Sequence, residues 1–174
     1  KVQSVSSVQI DTSKLVKKEY IPSLDDCYLA GLEMTVQYGE GKEPETIKFS
    51  TITEMTDSYG NTFTYKFQSA DEKNDRIYGP GSRMIEGTWN IIFYCNGEPI
   101  ETDTTYSIQV KEPTDLPVLQ AGKENSIESL WEMGMYNWYA FTAPETAEYK
   151  ISPVNAYETL IVNASDHMEV DHII

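Results

Sequence analysis

Apolar and polar residues alternate with a period of two through much of the chain. Leu32, Met34, Val36 and Tyr38 take one phase and Glu33, Thr35 and Gln37 the other, the pattern of a strand with one buried and one solvated face. Gly39, Gly41 and Pro44 break the run; Ile47 and Phe49 then resume it with Lys48 turned the other way. Residues 31–49 therefore read as a hairpin laid on the face of an antiparallel sheet.

The same period recurs on both sides. Residues 2–10 form a first strand with Val8 and Ile10 in phase, and residues 15–21 a short edge segment whose Lys17, Lys18 and Glu19 discourage a stray partner. Pro22 to Asp26 is a turn, and so is Asp57-Ser58-Tyr59-Gly60-Asn61. Phe63, Tyr65 and Phe67 then point inward. Residues 69–83, with Asp71, Glu72, Asp75, Gly79, Pro80 and Gly81, read as an exposed irregular connection. Residues 88–95 are the most strongly patterned strand, burying Trp89, Ile91 and Phe93. Asn96-Gly97 follows at once, and it suits a tight type I′ turn because both residues tolerate positive φ. Tyr106, Ile108 and Val110 return inward. Counted together this is about seven short strands in roughly 110 residues, the scale of an immunoglobulin-like β-sandwich.

Pro113 and Pro117 then fix φ and remove donors, giving a stiff joint over 113–117. The expected division is 1–112, a linker at 113–117, and a smaller module over 118–174. In that module Trp138 and Ala140 share one phase, Tyr139 and Phe141 the other. Ala143-Pro144-Glu145 turns the chain, and Tyr149 and Ile151 bring it back inward. Leu160 to Val162 reads as a central strand. About 60 residues make a marginal core, so this module either packs on the first or is cut short.

Composition narrows the class without naming a task. Hydrophobic residues are 40% of the chain, the 12 Tyr outnumber the 5 Phe, and no long helix-period run occurs, so the fold is all-β. The 28 acidic residues against 13 basic give a formal charge of −15, which repels phosphate backbones and anionic lipid. Nucleic-acid binding and membrane insertion are thereby disfavoured. No apolar run approaches the roughly 20 residues that span a bilayer. The chain starts abruptly in a strand and stops on apolar residues, and it reads as an excerpt that is monomeric as this segment.

Two stretches resemble known families. Glu19-Tyr20, Leu24-Asp25, Leu29-Ala30-Gly31-Leu32 and Val36-Gln37-Tyr38-Gly39 with Gly41 resemble bacterial immunoglobulin-like domains of the third group. Gly87-Thr88-Trp89-Asn90-Ile91-Ile92-Phe93-Tyr94, Asn96-Gly97 and Tyr106 to Val110 are similar to the final hairpin of those domains. Pro22-Ser23 stands where that family has Gly-Glu, and the stretch 69–83 departs from it in length. Trp138-Tyr139-Ala140-Phe141-Thr142-Ala143-Pro144-Glu145-Thr146-Ala147-Glu148-Tyr149 resembles the signature strand pair of pre-peptidase C-terminal β-sandwiches, with Ala147 in place of a glycine. The resemblance implies an immunoglobulin-like sandwich followed by a smaller, jelly-roll-like one. It also implies an extracellular bacterial setting, at the cell surface or secreted, with roles as stalk, adhesion unit or enzyme appendage, and it carries no shared catalytic residue.

Candidate chemistry is sparse. Cys27 and Cys95 are the only cysteines; they form either a disulfide or two unpaired thiols, with Cys95 on the inward phase of its strand. His167, Glu169, Asp171 and His172 have metal-ligand chemistry, but His-x-x-x-x-His puts the two imidazoles on opposite faces of a strand, which favours a solvated terminal strand over zinc. Asp25, Asp26, Asp57, Asp71, Glu72 and Asp75 lie in loops where calcium sites form, yet no Asp-x-Asp-x-Asp-Gly series occurs. No nucleophile elbow or phosphate-cradling glycine loop is present. Trp131, Tyr136 and Trp138 are the candidates for a sugar-stacking platform, weighed against service in the core. The expectation is a non-catalytic spacer or adhesion segment without a cofactor. Its partners would be a surface glycan or a host or cell-wall protein; the alternative is a carbohydrate-binding accessory of a secreted enzyme.

Overall fold

The computed structural model describes residues 3–39, 41–126, 135–153 and 159–173, and among these every regular element is a strand. The chain divides into two compact units. The first is Lys1–Thr114 with Glu128–Asn137, of which Met135 to Asn137 are described in the second piece; the other unit is Asp115–Ile127 with Trp138–Ile174. The division falls inside the proline-flanked joint, between Thr114 and Asp115.

In the first unit, β1 (Val5–Asp11), β4 (Glu33–Tyr38) and β5 (Glu45–Lys48) form an antiparallel sheet in the order β1-β4-β5. Val8 faces Val36, and Met34 faces Ile47. A second sheet runs β2 (Glu19–Tyr20), β12 (Ser107–Val110), β10 (Gly87–Cys95), β7 (Thr62–Ser69), β6 (Met55–Thr56). On it β11 (Glu98–Pro99) pairs with β10, and β8 (Ile77–Tyr78) with β7. A separate short pair joins β3 (Asp26–Cys27) to β9 (Ser82–Arg83).

Both sheets contribute to one apolar cluster. Met34, Val36, Tyr38 and Ile47 enter it from the first, and Phe63, Tyr65, Phe67, Trp89, Ile91, Phe93, Ile108 and Val110 from the second. Phe49, just past β5, bridges them, its ring 5.7 Å from Tyr65 and 6.0 Å from Phe93. Register follows from this face. A one-residue slip of β7 would expose Phe63, Tyr65 and Phe67 and bury Thr64 and Lys66, forfeiting roughly 5–9 kcal/mol at about 1.5–3 kcal/mol per large apolar side chain.

Two turns depend on backbone freedom. Asn96 and Gly97 both have positive φ (53° and 86°) and join Cys95 directly to its partner Glu98, the tight hairpin the dipeptide predicts. Gly31 has φ 87°, and its N–H donates to the Phe49 carbonyl. A Cβ there would sit 2.1 Å from the Lys14 carbonyl oxygen, so the Gly-Leu pair is dictated by a backbone crossing.

Several expectations need correction. Residues 69–83 are not merely a connection: they hold β8 and β9, and Tyr78 packs edge-on against Trp89 at 4.9 Å. Two-residue strands have no period to read, so the pattern missed them. In the second unit, β13 (Val118–Leu119) pairs in parallel with β14 (Ala140–Phe141), and β15 (Thr159–Val162) antiparallel with β16 (Glu169–Ile173). Residues 148–152 form no strand, and Tyr149 and Ile151 are 37% and 38% exposed. The Tyr149 hydroxyl instead donates back to the Glu145 carbonyl at 3.0 Å while its ring meets Phe141, a local closure in place of sheet pairing. Among the described residues, 160–162 lie in a two-stranded sheet, not at the centre of a larger one.

Candidate functional site

The first unit's distinguishing geometry lies where its early and late strands meet. β2 pairs in parallel with β12, Glu19 beside Gln109 and Tyr20 beside Val110. The Lys111 N–H donates to the Tyr20 carbonyl at 2.9 Å, and the Gln109 N–H approaches the Lys18 carbonyl at 3.5 Å. Parallel neighbours place the start of β2 and the end of β12 at opposite ends of the pair. A pull on the start of β2 against the end of β12 therefore loads these bonds together rather than one by one.

Polar side chains brace this region from within. Tyr20 is 1% exposed, and its hydroxyl donates to the Tyr28 carbonyl, with the Lys17 carbonyl 3.1 Å away. Asp25, also 1% exposed, accepts the Ile21 N–H at 2.6 Å and both oxygens meet the Lys17 ammonium at 2.7 Å. The third Lys17 donor reaches the Tyr136 carbonyl at 3.0 Å, and neighbouring Met135 packs against the core. Leu24-Asp25 is therefore a loop whose buried carboxylate closes the turn and holds the half-buried Lys17 ammonium. Such a pair adds little over an apolar replacement, but breaking it strands a buried charge.

A second polar node sits at Asp57, 6% exposed. It accepts the Tyr38 hydroxyl, the Asn61 N–H and the Asn61 amide, each at 2.7 Å, and the Tyr59 N–H at 2.9 Å. Asn96 extends the network, donating to Asn61 Oδ1 at 2.9 Å and accepting the Thr62 N–H at 3.0 Å. Burial would push the Asp57 carboxyl up, but the donors from Asn61, Tyr38 and Tyr59 outweigh it and hold it below its ordinary value. Burial, then the hydrogen bond to Asp57, pushes Tyr38 up. The 57–61 turn and the end of β4 are thereby tied to one acceptor, and the Asn96 turn joins them through Asn61. Among the described residues no buried side-chain nitrogen or oxygen lacks a hydrogen-bond partner.

The residues singled out from sequence fall as follows. Cys27 and Cys95 are free thiols and not a disulfide. They sit on different strands with different neighbours, Cys27 beside Ser82 on β9, Cys95 opposite Phe63 and Glu98. Cys27 is fully buried on β3, and burial together with the Asp25 charge pushes its thiol up to about 12. Cys95 is only half-buried, so the inward phase of β10 weakens at its last residue. Trp131 lies outside the described residues; Tyr136 falls in the first unit and Trp138 in the second, both half-buried. Of the loop carboxylates, Asp25 and Asp57 are committed to the donors above, Asp26 pairs with Arg83 at 2.9 Å, and Asp71 accepts the Lys73 N–H at 3.0 Å. Among the described residues no group of three or more His, Cys, Asp or Glu is gathered to hold a metal ion. Nor is any helix there long and apolar enough to cross a membrane.

Compared with protein-family models, curated proteins and solved structures, the chain matches none of them. The polar braces were invisible to motif reading because each joins residues from separate loops. Asp57 and Asn61 alone had a local signal, as the flanks of one turn.

Proposed function

We propose that this chain is a non-catalytic segment of a bacterial cell-surface or secreted protein, working as a spacer or adhesion module. Its first unit would be an immunoglobulin-like sandwich. The observation that carries the reading is the parallel β2–β12 pair, in which the start of β2 and the end of β12 lie at opposite ends of one hydrogen-bonded contact. That is the geometry a serial module needs to carry tension. The Lys17–Asp25 pair adds stiffness next to β2, and the Asp57 node does so at the β6 edge of the same sheet. The resemblance of residues 19–41 and 87–110 to bacterial immunoglobulin-like domains supports the same reading and the extracellular setting.

Force spectroscopy on the full chain, held near its two ends, tests this. The expected result is that the first unit opens in one step, and that Lys111→Pro, which removes the N–H donated to Tyr20, lowers the opening force. A first unit that opens at the same force with and without Lys111→Pro would overturn the spacer reading. The alternative, a carbohydrate-binding accessory, predicts a change in tryptophan emission on titration with polysaccharides that is lost in Trp138→Ala.

A further inference from the structure

Asn96-Gly97 is the one Asn-Gly pair in the sequence, and its surroundings give it a chemistry beyond its turn. An asparagine side chain closes most readily on the next backbone nitrogen when that residue is glycine, which carries no Cβ to crowd the approach. Gly97 leaves the way open: nothing lies within 4 Å of where a Cβ would stand. Asn96 is exposed, so water reaches the pair.

Hydrogen bonds oppose the closure. The Asn96 N–H donates to the Thr62 carbonyl at 2.8 Å, its Oδ1 accepts the Thr62 N–H at 3.0 Å, and its Nδ2 donates to Asn61 Oδ1 at 2.9 Å. The side-chain amide is thereby clamped onto the first residue of β7 and the one before it. To close on Gly97, Cγ must come within bonding distance of that nitrogen, and the two side-chain bonds must open first. Two bonds of ordinary net strength make the open arrangement about ten- to a hundredfold rarer.

The wiring of Asn61 determines what the product does. Asn61 gives its Nδ2 to Asp57 Oδ2 at 2.7 Å and so presents Oδ1 to Asn96. A carboxylate at position 96 has no proton to donate, so two acceptors would face each other. Turning the Asn61 amide over would relieve them only by withdrawing its donor from the buried Asp57. The isomeric product, whose main chain runs through the former side-chain carbons, adds one backbone carbon to a turn with only two residues between Cys95 and Glu98.

We propose that Asn96 is a site of spontaneous deamidation, held off in the folded chain by Thr62 and Asn61, whose products undo the Asp57 node. Solvent hydroxide takes the Gly97 N–H proton, the nitrogen bonds to Asn96 Cγ, and Nδ2 takes a proton from water and leaves as ammonia. Water then opens the imide at either carbonyl, giving aspartate or its isomer. This chemistry is independent of the tension-bearing role, and either can fail alone.

The test is to hold the full chain in mildly alkaline buffer, folded and in strong urea, and to follow the mass gain at Asn96 by peptide mapping. The unfolded chain should deamidate at least about tenfold faster than the folded one. In the folded chain Asn61→Ala, which removes one side of the clamp, should raise the rate several-fold. Because Asn61→Ala also takes a donor from Asp57, Asn96→Asp is the second variant. It sets the direct product in place, and hydrogen exchange at the Asn61 and Thr62 amides should accelerate several-fold. No mass gain at Asn96 even in urea, or equal rates in the folded and unfolded chain, would overturn the proposal. So would a folded rate unmoved by Asn61→Ala, or exchange at Asn61 and Thr62 unmoved by Asn96→Asp.

Discussion

Replacing Asp57 by Ala removes the acceptor shared by Tyr38, Tyr59 and Asn61. Three of the four donors are well buried: the Tyr38 hydroxyl and the two Asn61 N–H groups, in residues 7% and 0% exposed. A buried donor left unpaired costs about 1–3 kcal/mol. The three share one site and one rearrangement, so their losses do not simply add, and a total of about 3–5 kcal/mol is expected. Hydrogen exchange of the β7 and β10 amides isolates this unit, whereas a melt of the whole chain would mix two units. Exchange at Phe63–Phe67 and Ile91–Phe93 should accelerate by roughly two to four orders of magnitude, one decade being about 1.4 kcal/mol. Less than a tenfold change would refute the view that Asp57 ties its turn to β4.

The pH dependence of the same node has a fixed sign. The carboxyl titrates lower in the folded chain than its ordinary 3.8, so its stabilisation is fully present above about pH 4 and is lost as pH falls through the folded value. Asp57→Asn keeps the shape but not the charge. It should be less stable than the parent at pH 7, and the difference should shrink in acid.

Three further outcomes follow from the geometry. Lys17→Met, which leaves Asp25 buried without its cation, should destabilise the first unit by about 3–5 kcal/mol, and Lys17→Met with Asp25→Leu should recover part of that; a double variant worse than the sum of its singles in urea titrations would contradict the pairing. Gly31→Ala should cost at least about 2 kcal/mol, since it adds a left-handed alanine to a clash with the Lys14 carbonyl, and a stability within 0.5 kcal/mol of the parent in urea would refute this. With a disulfide-exchange reagent at pH 8, Cys95 should react first while Cys27, buried and with its thiol near 12, waits on unfolding; equal native rates would show that the Cys27 site is open.

What could be read before any coordinates was whatever repeats every two residues. Leu32 to Tyr38, Phe63 to Phe67 and Trp89 to Phe93 declare their buried faces because successive side chains on a strand point to opposite sides, and Asn96-Gly97 declares its turn because few dipeptides accept positive φ twice. Their pairing partners were another matter. That β2 lies parallel to β12, nearly ninety residues away, that Tyr78 covers Trp89, and that Cys27 and Cys95 stay apart are consequences of how sheets share a core. Hydrogen bonds of this kind depend on distance and direction in space, which a one-dimensional order of residues does not encode. The same holds for Tyr106: alternation identified it as an inward residue, and only the fold shows it half-buried against the core with its hydroxyl beside the Ile10 carbonyl of β1.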